Sequence, residues 1–407
     1  MVTPFTIYEL AVIHSLIIFI RRYVNRLINI PMPTLMSGQG ELVQCANILS
    51  KNHSQNVFIV TDKTLIQLGV VQPLIDLLEQ SSLNYIVFDN VTPDPTISVV
   101  ELGVCEFKGN HCDSIITIGG GSVMDCGKAI AASVIKNKSI KALSGLFKIR
   151  KKLPTFIAVP TTAGTGSEAT LVAVVTDPTK KQKFTVIDPC LVPHYAVIDP
   201  ILMLGLPAKI TAETGIDALT HAVESYIGLH STEQTKSYCF KAIKRIFTYL
   251  PQGYNDGSNL TARTEMSLAS YYAGVAFTRT SIGYVHAIAH QLGGYYHIPH
   301  GLANAVLLPY VLTFSFDNAY QKYAEIAYHI DIAHPQDDEK LAAEKFISAV
   351  KKLNVSLNIQ TTFSELKKED IPLLAKRAIK EAYCEYPVPK QMTVNECEAI
   401  LLTLLAK

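Results

Sequence analysis

Between residues 40 and 205 short apolar runs alternate with longer stretches of helical periodicity. N-V-F-I-V-T at 56–61, Y-I-V-F at 85–88, S-I-I-T-I at 114–118 and T-F-I-A-V at 155–159 lack the polar alternation of a half-exposed strand, so each is predicted to be covered on both faces. Helical segments separate them. That order makes βαβ units and predicts an α/β domain with a mainly parallel sheet over residues 31–205. After Pro207 the pattern changes to long amphipathic stretches from about Ile210 onward, with turns placed at Pro251, Gly253, Pro335 and Pro387. Residues 206–407 are therefore expected to be all-helical, and a ligand is expected in the cleft between the halves. No internal repeat or low-complexity tract interrupts this plan.

Residues 1–30 stand apart. Ile13, Leu16, Ile17, Ile20, Val24, Leu27 and Ile28 recur with helical spacing, while His14, Ser15, Arg21, Arg22, Asn25, Arg26 and Asn29 fall on the other side, blurred only by Ile18 and Phe19. This is an amphipathic extension with a basic face. Its arginines follow the apolar run instead of preceding it, which argues against a secretory signal. Glu9 and His14 interrupt the run before it reaches the ~20 residues that crossing a bilayer requires. Two readings share the same amphipathic pattern: a helix packed on the body or on another subunit, or one lying in a membrane interface. Pro31 and Pro33 end it.

Composition narrows the function classes. A chain of 407 residues exceeds the size at which one core usually stops growing, which fits two domains. Lys plus Arg total 36 against 35 for Asp plus Glu, so nothing in the charge points to nucleic acid, and a small or neutral ligand is expected. The eight cysteines contain no C-x-x-C pair, which fits reduced thiols in a cytoplasmic protein. Cys126 lies beside a glycine-rich turn and is the thiol to watch for oxidation, although a small buried hydrophobe is the plainer reading.

That turn is Gly119-Gly120-Gly121-Ser122, entered from the run at 114–118 and followed by V-M-D-C-G-K-A at the start of a helix. Glycines there let backbone N–H groups approach a pyrophosphate, and the helix N-terminus adds a favourable dipole. The turn is neither G-x-G-x-x-G nor a Walker A sequence, and by itself it is also compatible with an unliganded strand-to-helix turn. A second loop, P-T-T-A-G-T-G-S-E at 160–168, follows the run at 155–159 and is dense in hydroxyls and glycines. Asp62 follows the run at 56–61, where a carboxylate can accept from both adenosine ribose hydroxyls and repel a 2′-phosphate. In the helical half, T-G-I-D-A-L-T-H-A-V-E spaces Asp217 and His221 i,i+4, and Y-V-H-A-I-A-H does the same for His286 and His290, with His300 following in I-P-H-G. One carboxylate and several imidazoles suit a first-row divalent ion.

In that order these strings resemble the iron-containing, or group III, alcohol dehydrogenase family: G-G-G-S-V-M-D, P-T-T-A-G-T-G-S-E, T-G-I-D-A-L-T-H-A-V-E, and the run from His286 through H-Q-L-G-G-Y-Y-H-I-P-H-G-L-A-N-A. The resemblance runs from about Pro33 to the C-terminus and implies a dehydroquinate synthase-like fold: a dinucleotide-binding α/β domain followed by a helical metal-binding domain. It further implies Asp217, His221, His286 and His300 as ligands of Fe(2+) or Zn(2+), with His290 as a non-ligand acid/base near the substrate and His297 outside the ligand set. Asp62, Gly120, Gly121, Ser122, Asp125, Thr161, Thr162, Thr165 and Lys183 are implied to contact the dinucleotide, with Asp62 favouring NAD over NADP. The implied reaction is hydride transfer between NAD(H) and a small alcohol or aldehyde, in a homodimer. Two alternatives keep the fold: a polyol oxidoreductase of the glycerol dehydrogenase kind, and a non-catalytic membrane-associated binding protein suggested by residues 1–30. The chain departs from the family at that extension, and at Ala287, where glycine is frequent and a methyl could trim the substrate pocket.

Overall fold

The computed structural model describes residues 29–180, 182–383 and 385–406. The amphipathic helix expected before Pro31 lies outside them. The chain first lays down β1 (Thr34–Ser37), α1 (Gln44–Lys51), β2 (Asn56–Val60), α2 (Lys63–Gln67), α3 (Gln72–Gln80), β3 (Asn84–Phe88), α4 (Ile97–Gly109), β4 (Ser114–Gly119) and α5 (Gly121–Lys136). A short β5 (Gly145–Leu146) leads to β6 (Thr155–Pro160), then to the antiparallel hairpin of β7 (Val172–Asp177) and β8 (Gln182–Ile187), and to β9 (Tyr195–Ile198).

Six strands form one parallel sheet in the order β1-β9-β6-β4-β2-β3. Successive side chains of a strand point to opposite faces, and here both faces are apolar. Phe58, Val60, Ile115, Phe156 and Ala158 enter one core, while Val57, Ile59, Ile116, Ile118, Ile157 and Val159 enter the other. This is why β2, β4 and β6 read as unbroken apolar runs; β3, at the sheet edge, is covered less fully. Periodicity passes over β1 and β9, which are four residues each and take strand geometry from pairing with one another, from Thr34↔Tyr195 to Ser37↔Ile198. It also passes over β7 and β8, which with β5 form a separate three-stranded sheet.

The second half is helical: α6 (Ala208–Ile227), α7 (Glu233–Asn255), α8 (Leu260–Thr280), α9 (Tyr284–Tyr296), α10 (His300–Phe314), α11 (Phe316–His329), α12 (Glu339–Ser356), α13 (Ile371–Ala382) and α14 (Val394–Thr403). The turn expected at Pro251 and Gly253 does not form there, because α7 continues through both residues to Asn255. Packing overrides the local signal: Leu250 is fully buried against α6 at Gly215, where an added Cβ would come within 2.4 Å of the leucine. The chain turns later, where Asp256 accepts from the Ser258 amide and Asn259 caps α8 through the Ala262 amide.

The halves are joined at the 160–170 loop. Gly166 has φ +60° and lies against Gly274 of α8 so closely that an added Cβ on Gly166 would approach the Gly274 backbone to 2.7 Å. The Gly166 amide donates to Ser270 Oγ at 3.1 Å, and the Leu171 amide to Thr278 Oγ1 at 3.0 Å. Among the described residues seven cysteines are free, and Cys126 is buried in the sheet core with its thiol pKa raised by that burial, so it packs as a small hydrophobe. No described helix is long and apolar enough to cross a membrane.

Candidate active site

Three helices bring the chemistry to one point. The i,i+4 spacing on α6 puts Asp217 and His221 on one face, and α9 carries His286 in its first turn. His297 ends α9 in the left-handed region at φ 59°, and after this reversal His300 opens α10 beside the other three. One side-chain ligand atom from each of Asp217, His221, His286 and His300 falls within 4.8 Å of all the others. Asp217 Oδ1 stands 3.7 Å from His286 Nε2 and 3.5 Å from His300 Nε2. Ligands at ~2.1 Å from a tetrahedral ion would be about 3.4 Å apart, so the spacing fits a first-row cation.

The electrostatics also suit a cation. Burial holds the His286 imidazole well below its ordinary range, helped by His221, His300 and His290, and burial lowers His300 to about 4 against the pull of Asp217. Neutral imidazoles are the form that ligates. His286 Nε2 is buried without a hydrogen-bond partner, a costly arrangement that a bound cation would relieve. His290, one turn along α9, stacks on His300 with centroids 5.4 Å apart, while His297 is exposed.

The other candidates collect at the carboxyl edge of the parallel sheet. The register pairs Val60 with Thr117 and Gly119 with Pro160, so Asp62, Gly120 and Thr161 follow adjacent strand ends. Asp62 caps α2, accepting from the Leu65 amide at 3.0 Å. The glycine turn and the hydroxyl loop touch: an added Cβ on Gly121 would meet Thr165 at 2.6 Å, and one on Gly120 would meet Thr162 at 3.4 Å. Ser122 Oγ accepts from the Asp94 amide at 3.4 Å, and the Asp94 carboxylate binds Lys183 Nζ at 2.6 Å, which ties β8 to this edge. Lys183 Nζ in turn lies 3.9 Å from the position a Cβ would take on Gly293 of α9, so β8 reaches from the sheet edge to the helix that carries His286 and His290. Asp125 faces inward, both oxygens engaged by Ser167 Oγ and the Val174 amide.

Residues 33–200 match the iron-containing alcohol dehydrogenases, and residues 211–405 match the C-terminal region of the Fe-containing alcohol dehydrogenase family. The chain belongs to this family. It is 35% identical to the NAD-dependent methanol dehydrogenase of Bacillus methanolicus over 375 residues, 92% of this chain and 98% of that one. It is 37% identical to the lactaldehyde reductase of Escherichia coli (strain K12) over 369 residues, covering 89% and 95%. A crystal structure of 1,3-propanediol oxidoreductase superposes with TM-score 0.90 at 36% identity, covering 93% of this chain and 99% of that one. As a member of the family the protein is an oxidoreductase acting on alcohols and aldehydes.

In this alcohol dehydrogenase several residues that the sequence reading gave no role, some of them inside its motifs, complete the site. Glu224 Oε2 lies 2.6 Å from His286 Nδ1, and the carboxylate also accepts from the Gly283 and Val285 amides. Burial pushes Glu224 up to about 8 despite those three partners. It sits seven residues beyond Asp217, so helical spacing alone could have found it. Asn304 Nδ2 donates to Asp217 Oδ1 at 2.6 Å, and Phe277 stacks on His221 at 4.2 Å. Lys128 is fully buried, and its Nζ reaches Ser167 O and Oγ, Thr170 O and Oγ1, and Val172 O within 3.1 Å. Ala287 is fully buried in the helical core, so its methyl packs there instead of trimming a substrate pocket. Because Glu224 orients His286, Glu224→Gln should weaken metal affinity about 10- to 100-fold in a competitive chelator titration. Unchanged affinity would remove Glu224 from that role.

Proposed function

We propose that the chain transfers a hydride between NAD(H) and a small primary alcohol or aldehyde, with Asp217, His221, His286 and His300 holding Fe(2+), or alternatively Zn(2+). The observation that carries this reading is the convergence of those four ligand atoms within 4.8 Å of one another. When bound, the ion supplies Lewis acidity at the substrate oxygen and the nicotinamide supplies the hydride acceptor or donor.

The chain's own residues do the rest. Backbone amides at Gly120, Gly121 and Ser122, at the N-terminus of α5, receive the pyrophosphate. Thr161, Thr162 and Thr165 supply hydroxyls from the adjoining loop, and Asp125 holds that loop from behind through Ser167. Asp62 reads the adenosine ribose and repels a 2′-phosphate, which supports NAD over NADP. Lys183, held by Asp94 at 2.6 Å, faces the dinucleotide from β8. His290 takes the hydroxyl proton during oxidation and returns it during reduction.

The reading divides the chain into an extension at 1–30, a dinucleotide domain at 31–205 and a metal domain at 206–407. It takes the protein as a cytoplasmic homodimer, with β1, at one end of the sheet order, as the edge strand that would pair. Residues 1–30 would add a peripheral membrane contact or a subunit contact. The deciding experiment combines metal analysis of anaerobically purified protein with NADH oxidation against a panel of small aldehydes, before and after chelation. Stoichiometric iron or zinc, with turnover lost on chelation and restored by the metal, is expected. Protein that binds NADH but turns over nothing even after metal is added would overturn the reading.

A further inference from the structure

Helix α9 presents two histidines, and each is backed by a carboxylate from elsewhere in the fold. His286 has Glu224, and His290 has Glu381, near the C-terminal end of α13. Glu381 Oε1 lies 2.6 Å from His290 Nδ1 and accepts from Tyr386 OH at 2.7 Å, while Gln291 Nε2 donates to Oε2 at 2.7 Å. Burial pushes Glu381 upward, but His290 beside it and the bonds from His290, Tyr386 and Gln291 hold it below the usual carboxylate range. Tyr386 and Gln291 donate to its two oxygens, so the carboxylate acts as an acceptor on both, and the His290 proton facing Oε1 sits on Nδ1. Nε2, on the opposite side of the ring, then carries the lone pair. The ring cannot turn freely, because it stacks on His300 with planes 17° apart and meets His286 edge-on at 6.0 Å.

We infer that Glu381 is a positioning residue for proton transfer: it fixes the tautomer and orientation of His290 and stabilises the imidazolium formed when Nε2 takes the substrate's proton. The inference rests on the reading of His290 as the proton carrier. In alcohol oxidation the carbinol C–H electron pair leaves as hydride to NAD+, and the hydroxyl proton passes to His290 Nε2. The products are aldehyde and NADH, and the imidazolium then releases its proton to water. Reduction runs the same transfers backwards. Tyr386 and Gln291 serve by holding both carboxylate oxygens, so that Glu381 keeps its place as the charge on His290 changes.

The test compares Glu381→Gln, His290→Gln and the double variant in the metal-loaded enzyme, reading the single-turnover rate of NADH formation from a small primary alcohol. Glu381→Gln keeps the shape and an acceptor oxygen but loses the charge, and should slow that rate about 10- to 100-fold. Metal content, NADH affinity and alcohol KM should stay at wild-type values. His290→Gln should cost about 100-fold or more. The double variant should be no slower than His290→Gln alone, because Glu381 acts only through His290. A wild-type rate in Glu381→Gln, or losses that multiply in the double variant, would overturn the assignment of Glu381 while leaving His290 in place. A wild-type rate in His290→Gln would instead remove the proton-carrier reading and this one with it.

Discussion

Replacing His286 by alanine is expected to strip the protein of its metal and to lower alcohol oxidation by about 1,000-fold or more, with NADH still bound at near wild-type affinity. His286 is central among the proposed ligands. Its ring stacks on His221 at 4.5 Å, lies 5.3 Å from His300, and points Nε2 to within 3.7 Å of Asp217. The substitution removes one of four donors and leaves Glu224 buried without its imidazole partner. A lost Lewis acid is worth several kcal/mol of barrier, and each ~1.4 kcal/mol is tenfold in rate. Dinucleotide binding should survive, because its candidate contacts belong to the carboxyl edge of the sheet and to β8. Elemental analysis, steady-state kinetics and a fluorescence titration with NADH check the three parts separately. Full activity in the variant would sink the ligand assignment.

The second large effect is expected at a residue that touches neither substrate nor metal. Lys128→Met should destabilise the fold by about 3–5 kcal/mol, because it withdraws one buried charged donor from several oxygens at roughly 1–3 kcal/mol each. Lys128 holds five oxygens of the 167–172 segment, three of them backbone carbonyls. Burial lowers its pKa to about 8, with Asp125 and Glu168 pulling the other way. Methionine fills the volume but offers those oxygens no donor. It also removes a cation that acts on both Asp125 and Glu168, with burial already raising Glu168 to about 7. The loop that Lys128 anchors carries Thr161, Thr162 and Thr165, so NADH affinity should fall along with stability. Urea unfolding and NADH titration measure the two effects. A variant as stable as the wild type would show that the ammonium is not the anchor of this loop.

Part of this protein was legible in the residues alone because the controlling forces are local. Strands buried on both faces have only apolar side chains to offer, so β2, β4 and β6 announce themselves, while β3 at the sheet edge is apolar but only partly covered. Glycines before a helix and hydroxyls after a strand single out turns able to face a ligand. The i,i+4 spacing of Asp217 with His221 is a property of one helix, and the family motifs named His286 and His300 as their companions. Glu224 was equally within reach, one helical turn beyond His221.

What tertiary structure alone decided was which distant groups complete these local pieces. His286 and Glu224 are 62 positions apart, and His290 and Glu381 are 91 apart. No period in the chain encodes such pairs, because they depend on how α6 and α13 pack against α9. Packing also carried α7 through Pro251, since the burial of Leu250 outweighs the loss of one backbone donor. It turned Asp125 inward, where Ser167 and Val174 satisfy both of its oxygens. Chain periodicity thus determines which faces must be buried and which side chains share a turn; the low-dielectric interior, where every charge and every imidazole nitrogen needs a partner, determines who those partners are.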